Sequence, residues 1–287
     1  MRGEGTPPTF RTTFILRQAP GTHCRHLPIR NPPSEIRNPM GDVIRIFSDF
    51  HYGDRGSRLR SLPTIRPLFE GADAIVLNGD TIDTRPSRSP ATTVALRAET
   101  LEFFAKSAPP TTFLTGNHDP DISPQHTLDL AEGKVFVTHG DIIFDDLVPW
   151  GQDAPEIKRR IDREIAALAP ADRDELGPRL GAYRRVAASI PQRHQSERNS
   201  LKYLAGFLTD TVWPPLRFAT VLNAWRRAPG LAADLTRKHR PGARVAVIGH
   251  IHNPGFWRLP NGIHVLNTGS FCPPFGGAMA DIHPDRV

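Results

Sequence analysis

Five short polar clusters recur along the chain, and each is rich in side chains that bind metal ions. In chain order the clusters are Asp49-Phe50-His51, Gly79-Asp80-Thr81-Ile82-Asp83, Gly116-Asn117-His118-Asp119, Thr138-His139-Gly140-Asp141 and His250-Ile251-His252. Carboxylate and amide oxygens combined with imidazole nitrogens suit divalent transition metals such as Mn, Fe or Zn better than Mg or Ca. Gathered in one place, these residues would supply enough ligands for two divalent ions.

The order of all five clusters, rather than any one of them, supports this interpretation. An Asp-x-His or Gly-Asp-x-x-Asp sequence is often only a turn with a capping carboxylate, and a histidine after a strand is often an ordinary polar residue. Each cluster here follows a short apolar run, which is the layout of a strand that delivers side chains to one edge of a sheet. We therefore interpret the five clusters as one metal-binding constellation.

Short apolar runs and helical spacings predict the elements that must position these clusters. Strands are expected over residues 43–47, 74–78, 112–115, 134–137, 245–248 and 263–266. Apolar residues at helical spacing predict a helix over 92–107, whereas Pro63 and Pro67 interrupt a weaker helical pattern over 59–69. Strands that alternate with helices predict an α/β fold, in which ligands gather at the carboxyl ends of the strands.

Two parts of the chain lack this alternation of strands and helices. Residues 151–240 have helical periods, no convincing strand, and 17 Lys and Arg against 10 Asp and Glu. We interpret them as a basic helical insertion, a cap over or beside the edge that carries the polar clusters, and residues 40–150 and 241–287 as the core. Residues 1–39 are rich in Pro and Arg and lack periodicity, so they are expected to be a disordered or non-native extension before Met40.

Composition limits the compartment and the partners. The net charge of +6 and the pI near 9.8 favour an anionic partner, which leaves nucleic acid, an acidic membrane surface and a phosphorylated metabolite open. The 2 cysteines, Cys24 and Cys272, give no disulfide framework, so a reducing, cytoplasmic location is the default expectation. No apolar stretch in the sequence approaches the roughly 18–20 residues that a spanning helix needs.

In order and residue type, the five clusters resemble those of the calcineurin-like metallophosphoesterases, a superfamily of binuclear-metal phosphatases, nucleases and pyrophosphatases. The resemblance covers Val43 to Ser270 apart from the helical insertion. It implies two packed mixed β-sheets flanked by helices, and hydrolysis of a phosphate ester or pyrophosphate bond by metal-bound hydroxide. It also implies two divalent ions, with manganese as the first expectation. The implied ligands are Asp49, His51 and His252 for one ion, Asn117, His139 and His250 for the other, and Asp80 as a bridge.

The resemblance implies that His118 protonates the leaving alkoxide or stabilises the transition state, and that Asp119 orients it. The alternative for His118 is a structural histidine on a turn. Asp83 and Asp119 are expected to fix imidazole tautomers behind the ligands, although helix capping is an equal alternative for Asp83. The tract Asn267-Thr268-Gly269-Ser270 is interpreted as a tight turn near the site. A surface position is expected for the remaining histidines, His23, His26, His126, His194, His239, His264 and His283.

A narrower resemblance concerns the substrate. Thr138-His139-Gly140-Asp141, the following Asp145-Asp146 and the long insertion resemble the UDP-2,3-diacylglucosamine hydrolase branch, which cleaves a pyrophosphate in a lipid precursor. That branch typically has Arg where this chain has His118. Basic and aromatic side chains of the insertion would suit an anionic amphiphile and a peripheral membrane contact. The aromatic residues Trp213, Phe218 and Trp225 could instead pack the helices together. A phosphoprotein phosphatase with an open groove, and nucleic-acid binding or cleavage through the basic insertion, are the alternatives.

Overall fold

The computed structural model describes residues 17–18, 43–192, 201–202, 205–206 and 216–283. The strands are β1 (Arg17–Gln18), β2 (Ile44–Phe47), β3 (Ala74–Asn78), β4 (Thr111–Leu114), β5 (Thr127–Leu130), β6 (Val135–Thr138), β7 (Val245–Ile248), β8 (Gly255–Arg258), β9 (His264–Asn267) and β10 (Ala278–Ile282). The longer helices are α1 (Pro90–Ser107), α2 (Ala154–Ala166), α3 (Leu176–Ser189) and α4 (Leu216–His239). Shorter 3-10 helices span Leu62–Phe69, Asp141–Ile143 and Pro170–Asp172.

The strands form two mixed sheets of five strands each. The first has the order β1-β10-β2-β3-β4, in which β2, β3 and β4 run parallel and β10 and β1 pair antiparallel. The second has the order β5-β6-β7-β9-β8, with β6, β7 and β9 parallel and both outer strands antiparallel. The predicted pair of mixed sheets is therefore confirmed.

The two sheets pack face to face around a buried apolar layer. Ile46 and Val76 of the first sheet lie in one cluster with Val137, Val247 and Leu266 of the second. Because side chains alternate across a strand, the next residues along these strands point away from this layer and contact helices instead. The strands β2, β3, β6 and β7 are thus largely apolar on both faces, as is typical of strands covered on both sides.

Helices cover the outer face of each sheet. Phe104 of α1 packs with Phe47 and Leu77 on the first sheet. On the second sheet, α2 and α3 pack around Phe136, and α4 places Ala232 and Ala233 against Ala246, Ile248 and Val265. The helices predicted as an insertion therefore also form the outer layer that completes the sandwich. Among the described residues, no helix has both the length and the apolar character needed to cross a bilayer.

Several elements differ from the sequence prediction. β5, β8 and β10 were not predicted, because each carries a polar or small residue that breaks the apolar run, such as Asp129, Gly255 or Asp281. The segment Leu62–Phe69 forms a 3-10 helix, since its prolines have no N–H for α-helical hydrogen bonds. Within residues 1–39, Arg17–Gln18 pairs with β10 through Met279 and Ala278, and the remaining residues of that stretch lie outside the described chain.

A buried ion pair joins β10 to β2. The guanidinium of Arg45 donates to both carboxylate oxygens of Asp281, at 2.6 and 2.8 Å, and to the carbonyl oxygens of Leu68 and Glu70. Each of the two paired side chains is only 5% exposed. Asp281→Ala is expected to lower the free energy of unfolding by about 3–5 kcal/mol, because it leaves a buried positive charge without its partner. Denaturant-induced unfolding measures this loss.

The exposed ion pair between Arg185 and Glu164, with N···O of 2.6 Å, provides the matched control. Its side chains are 54% and 38% exposed, so water screens the pair. Glu164→Ala should therefore cost less than about 1 kcal/mol. If both variants lost the same free energy of unfolding, the Arg45–Asp281 pair would not be a stabilising contact of β10.

Candidate metal centre

The five polar clusters meet at the carboxyl ends of the parallel strands. Asp49 and His51 follow β2, Asp80 follows β3, and the cluster at 116–119 follows β4. His139 follows β6, and the cluster at 250–252 follows β7 in the facing sheet. Three groups of side chains result whose ligand atoms lie within 4.8 Å of one another: Asp49, His51 and His252; His51, Asp80 and His118; and Asp80, His139 and His250.

Imidazole nitrogens and carboxylate oxygens converge on two adjacent positions. At the first, Nε2 of His252 lies 3.1 Å from Nε2 of His51 and 3.2 Å from Oδ1 of Asp49. At the second, Nε2 of His139 lies 3.2 Å from Oδ1 of Asn117 and 3.4 Å from Oδ2 of Asp80. The same Oδ2 of Asp80 is 3.8 Å from Nε2 of His51. One carboxylate oxygen therefore faces both positions.

The backbone of these residues is locally strained. Five of them have positive φ angles: Asp49 (54°), His51 (46°), Asp80 (53°), His250 (68°) and His252 (56°). A residue with a side chain in this left-handed region costs roughly 1–2 kcal/mol relative to ordinary backbone. Such strain persists where the surrounding structure imposes it and concentrates at functional sites. Most of the non-glycine residues with positive φ in the described chain belong to this cluster, which makes it the candidate functional site.

Hydrogen bonds fix the ring orientation of two buried histidines. Nδ1 of His139 donates to the carbonyl oxygen of Asn78 at 2.9 Å, which leaves Nε2 free to face Asp80. Nε2 of His250 donates to the carbonyl oxygen of Leu147 at 2.7 Å, so Nδ1 carries the lone pair. Burial and the charge of His139 lower the pKa of His250 to about 4. The ring is therefore neutral at pH 7, and neutral imidazole is the form that binds metals.

The electrostatic field at the site favours cations. Burial lowers the pKa of His139, but the charges of Asp80 and Asp49 outweigh it and raise that pKa to about 10. Burial also lowers the pKa of His51, and hydrogen bonding to Asp49 with the charge of Asp80 raises it to about 9. Burial would raise the pKa of Asp49, yet the charge of His139 and hydrogen bonds with His252 and His51 hold it well below its usual range. The donor set and this field fit divalent cations.

Glycines of the clusters permit the close approach of the loops. A Cβ at Gly116 would collide with Oδ1 and the backbone nitrogen of Asp80. A Cβ at Gly249, before His250, would collide with Oδ2 of Asp49. Any side chain at either position would therefore displace a carboxylate of the cluster.

Asp119 contacts the loops rather than His118. Its carboxylate accepts hydrogen bonds from the backbone N–H groups of Asp80, Thr81 and Gly116, at 2.7 to 2.8 Å. Burial and the nearby charge of Asp80 raise its pKa to about 7. The carboxylate of Asp119 is thus engaged by the backbone and not by the ring of His118, contrary to the expected orienting role, and it joins the turn after β3 to the turn after β4.

Asp83 is the carboxylate that contacts His118. Its Oδ2 lies 3.0 Å from Nδ1 of His118. Arg85 donates to both oxygens of Asp83, at 3.0 and 2.7 Å, and its Nη2 lies 3.0 Å from the same imidazole nitrogen. Burial and the charge of Arg85 lower the pKa of His118. Sequence reasoning named Asp83 but missed Arg85, since an arginine after a turn has no distinguishing pattern.

The tract Asn267-Thr268-Gly269-Ser270 lies against the centre, as predicted for a turn near the site. Nδ2 of Asn267 donates to the carbonyl oxygen of Gly249 at 2.5 Å, and Oγ of Ser270 donates to that of Asp49 at 3.1 Å. The expectation of surface positions for other histidines is too simple. His126, His239, His264 and His283 are half-buried, while His23, His26 and His194 lie outside the described residues.

One family model and several solved structures are similar to this chain. Residues 43–167 match the family model of the calcineurin-like phosphoesterases. No curated protein matches the chain. Among solved structures, a dimetal phosphatase from Danio rerio is 14% identical with a TM-score of 0.40, covering 85% of this chain and 92% of its own. The phosphopantetheinyl hydrolase of Mycobacterium tuberculosis is 15% identical with a TM-score of 0.39, covering 83% and 95%. A Vps29 single mutant from Entamoeba histolytica is 12% identical with a TM-score of 0.38, covering 82% and 77%.

The family match covers the first four polar clusters, and the fifth joins them in space at the ends of β6 and β7. Two mixed sheets flanked by helices are consistent with the fold of that family. The match over residues 43–167 makes this part of the chain similar to the calcineurin-like phosphoesterases, and together with the clustered ligand groups it supports assignment of the protein as a metal-dependent phosphoester hydrolase.

Proposed function

We propose that this protein hydrolyses a phosphate ester or pyrophosphate bond with the help of two divalent ions. The observation that carries the proposal is the position of Oδ2 of Asp80, which lies within 4 Å of imidazole nitrogens in both ligand groups. One carboxylate shared in this way is suited to hold two ions side by side. Two such ions would supply Lewis-acid activation of water and of the phosphoryl oxygens.

The proposed ligands divide between the two positions. Asp49, His51 and His252 would hold one ion, with Asp80 as the shared ligand. Asn117, His139 and His250 would hold the other, and the donor set suits Mn, Fe or Zn, with manganese the first to test. The amide of Asn117 adds no negative charge, so the pair of ions would keep the excess positive charge that attracts a phosphate.

His118 is the proposed catalytic residue outside the ligand set. Its ring meets that of His51 edge to face at a centroid distance of 4.8 Å, and its side chain is 18% exposed at the mouth of the centre. Asp83 holds Nδ1, so Nε2 is the nitrogen available to a bound substrate. When the imidazole is protonated, Nε2 would donate its proton to the leaving oxygen.

A small or lipid-linked substrate is favoured by apolar side chains near the centre. Phe218 and Leu222 on α4 are 54% and 45% exposed. One turn further, the ring of Trp225 packs on that of Phe275, which is 40% exposed. Nε1 of Trp225 donates to the carbonyl oxygen of Ile251, between the two histidines of the last cluster. These four residues, Phe218, Leu222, Trp225 and Phe275, form an apolar strip that reaches the metal centre.

The alternatives have less support from the described residues. On α2, the basic side chains of Arg159 and Arg160 pair with Glu156, and Lys158 pairs with Asp162, so these charges are partly neutralised on a solvated face. This is unlike the unpaired basic surface that nucleic acid binding favours. Phosphoprotein phosphatase activity and UDP-2,3-diacylglucosamine hydrolase activity both stay predictions, and nucleotide-sugar pyrophosphates test the second of them.

The panel compares phosphomonoesters, phosphodiesters and nucleotide-sugar pyrophosphates in Mn²⁺, each with a short and a long alkyl group. Phe218→Ser/Leu222→Ser is expected to lower kcat/KM for the long-chain member by about tenfold or more, because burying such side chains contributes roughly 1.5–3 kcal/mol each. The short-chain member should be unaffected. Hydrolysis rates at low substrate concentration measure both.

Val94→Ser is the control, since Val94 is an exposed apolar residue on α1, 68% accessible, on the other sheet. It should leave both rates unchanged. If the double variant lowers the short-chain and long-chain rates equally, the apolar strip does not contact the substrate. If the wild-type protein hydrolyses no member of the panel with Mn²⁺, Fe²⁺ or Zn²⁺, the proposed function is wrong.

A further inference from the structure

His250 is held on three sides by one segment that lies outside the metal-binding clusters. The carbonyl oxygen of Leu147 accepts the hydrogen bond from Nε2 at 2.7 Å. The rings of Phe144 and Trp150 lie 6.0 and 5.6 Å from the imidazole, measured between centroids, and the indole is inclined by only 35° to it. The two aromatic rings also contact each other edge to face. Residues 144–150 therefore supply a hydrogen-bond acceptor and two aromatic neighbours to the imidazole ring.

This segment is itself fixed by α3. Oη of Tyr183 donates to the carbonyl oxygen of Phe144 at 3.1 Å, and that tyrosine is 1% exposed. Arg184 forms a bidentate ion pair with Asp141, at 2.5 and 2.8 Å, just before the segment begins. Both contacts are buried, so they resist displacement by water. The helix thus anchors the start of the segment.

The backbone at Leu147 is strained, which shows that packing holds the segment in one conformation. Leu147 has a φ of 60° and is 1% exposed. A bulky residue is rarely found in this left-handed region, and the strain lasts only where packing enforces it. In this conformation the carbonyl oxygen accepts the hydrogen bond from Nε2 of His250, which leaves Nδ1 as the nitrogen that can act as a ligand in the group with Asp80 and His139.

We propose that residues 144–150 form a clamp that sets the affinity of the ion bound through His250, with Trp150 as a positioning residue. The inference rests on the proposed function, because it takes His250 as a ligand. A ring that already occupies its binding orientation loses no rotamer freedom when the ion arrives. The aromatic rings also exclude water from the ligand, and groups that orient metal ligands typically change affinity by about 10- to 100-fold.

The test is Mn²⁺ titration of the full-length protein by calorimetry, with electron paramagnetic resonance to count bound ions. The wild-type protein is expected to bind two ions. Trp150→Ala should weaken one ion by about 10- to 100-fold and leave the other within about threefold of its wild-type affinity. Trp150→Phe keeps a flat ring in place and should restore most of the lost affinity. Trp257→Phe, on β8, is the matched control and should bind both ions as the wild type does.

Trp150→Leu controls for misfolding of the Trp150→Ala variant, since it keeps apolar volume but removes the planar ring. If folded Trp150→Leu binds both ions as tightly as the wild type, the clamp is disproved. A loss shared equally by both ions would also overturn it, because the effect would not pass through His250. A wild-type protein that binds no Mn²⁺, Fe²⁺ or Zn²⁺ would instead refute the proposed two-metal function on which the clamp depends.

Discussion

Asp80→Asn is expected to lower turnover by about 10³-fold or more and to reduce the bound metal from two ions to one or none. Oδ2 of Asp80 faces both ligand groups, at 3.4 Å from His139 and 3.8 Å from His51. Its Oδ1 is already occupied, because it accepts the backbone N–H of His118 at 2.8 Å. An asparagine that keeps this hydrogen bond must point its NH₂ group at the cations. Hydrolysis rate and metal content per chain measure the two effects.

The control for this experiment is Asp129→Asn, which alters an exposed carboxylate on β5 that pairs with Arg240. It should leave rate and metal content at wild-type values. Full activity of Asp80→Asn with two bound ions would overturn the assignment of Asp80 as the shared ligand. Full metal content with lost activity would instead assign Asp80 to a step after metal binding.

His118→Ala is expected to lower kcat by about 10²- to 10⁴-fold while both ions remain bound, which is the usual effect of losing a general acid. Because His118 also lies within ligand distance of His51 and Asp80, kcat and metal content must be measured separately to decide its role. Loss of a metal ion would make it a ligand. A wild-type rate would remove it from the reaction altogether. His264→Ala, on β9 in the second sheet, serves as the matched histidine control.

Asp83→Asn tests how His118 is held. Its carboxylate contacts Nδ1 of His118, whereas Asp119 bonds backbone N–H groups of two turns. Asp83→Asn should therefore lower kcat in the same direction as His118→Ala but by less, with KM nearly unchanged. Asp119→Asn should instead impair folding or metal binding, because it loosens the turns after β3 and β4. The same effect from both variants would contradict this division.

Strands buried on both faces were predicted to within a residue or two. β2, β3, β6 and β7 are mostly apolar, with Arg45 of β2 as the charged exception, and each ends beside a polar cluster, so their carboxyl ends could be placed together in advance. β10 is also fully buried, yet Asp281 breaks its apolar pattern. The carboxylate is tolerated there only because Arg45 neutralises it from β2, and no local pattern reveals a partner that is 236 positions away.

The sequence was sufficient to predict which residue types form the candidate site. It was not sufficient to predict which of those residues contact one another. Residue types at the strand ends indicate which side chains can bind metal. They do not indicate that Asp83 rather than Asp119 reaches His118, since both follow a glycine turn and tertiary packing decides between them. The carbonyl of Leu147 is less predictable still, because every residue has a backbone oxygen and only the local dihedral angles aim this one.

The helices over the second sheet perform two tasks at once. Tyr183 and Arg184 of α3 hold the segment that surrounds His250, and Trp225 of α4 bonds Ile251 while it also joins the apolar strip. A change of these helices that alters which substrate is accepted will therefore also disturb the ligands of one metal position. On the proposed function, exposed positions such as Phe218 and Leu222 can change substrate specificity with less effect on the metal ligands, since the inward-facing residues of these helices also hold the proposed ligands.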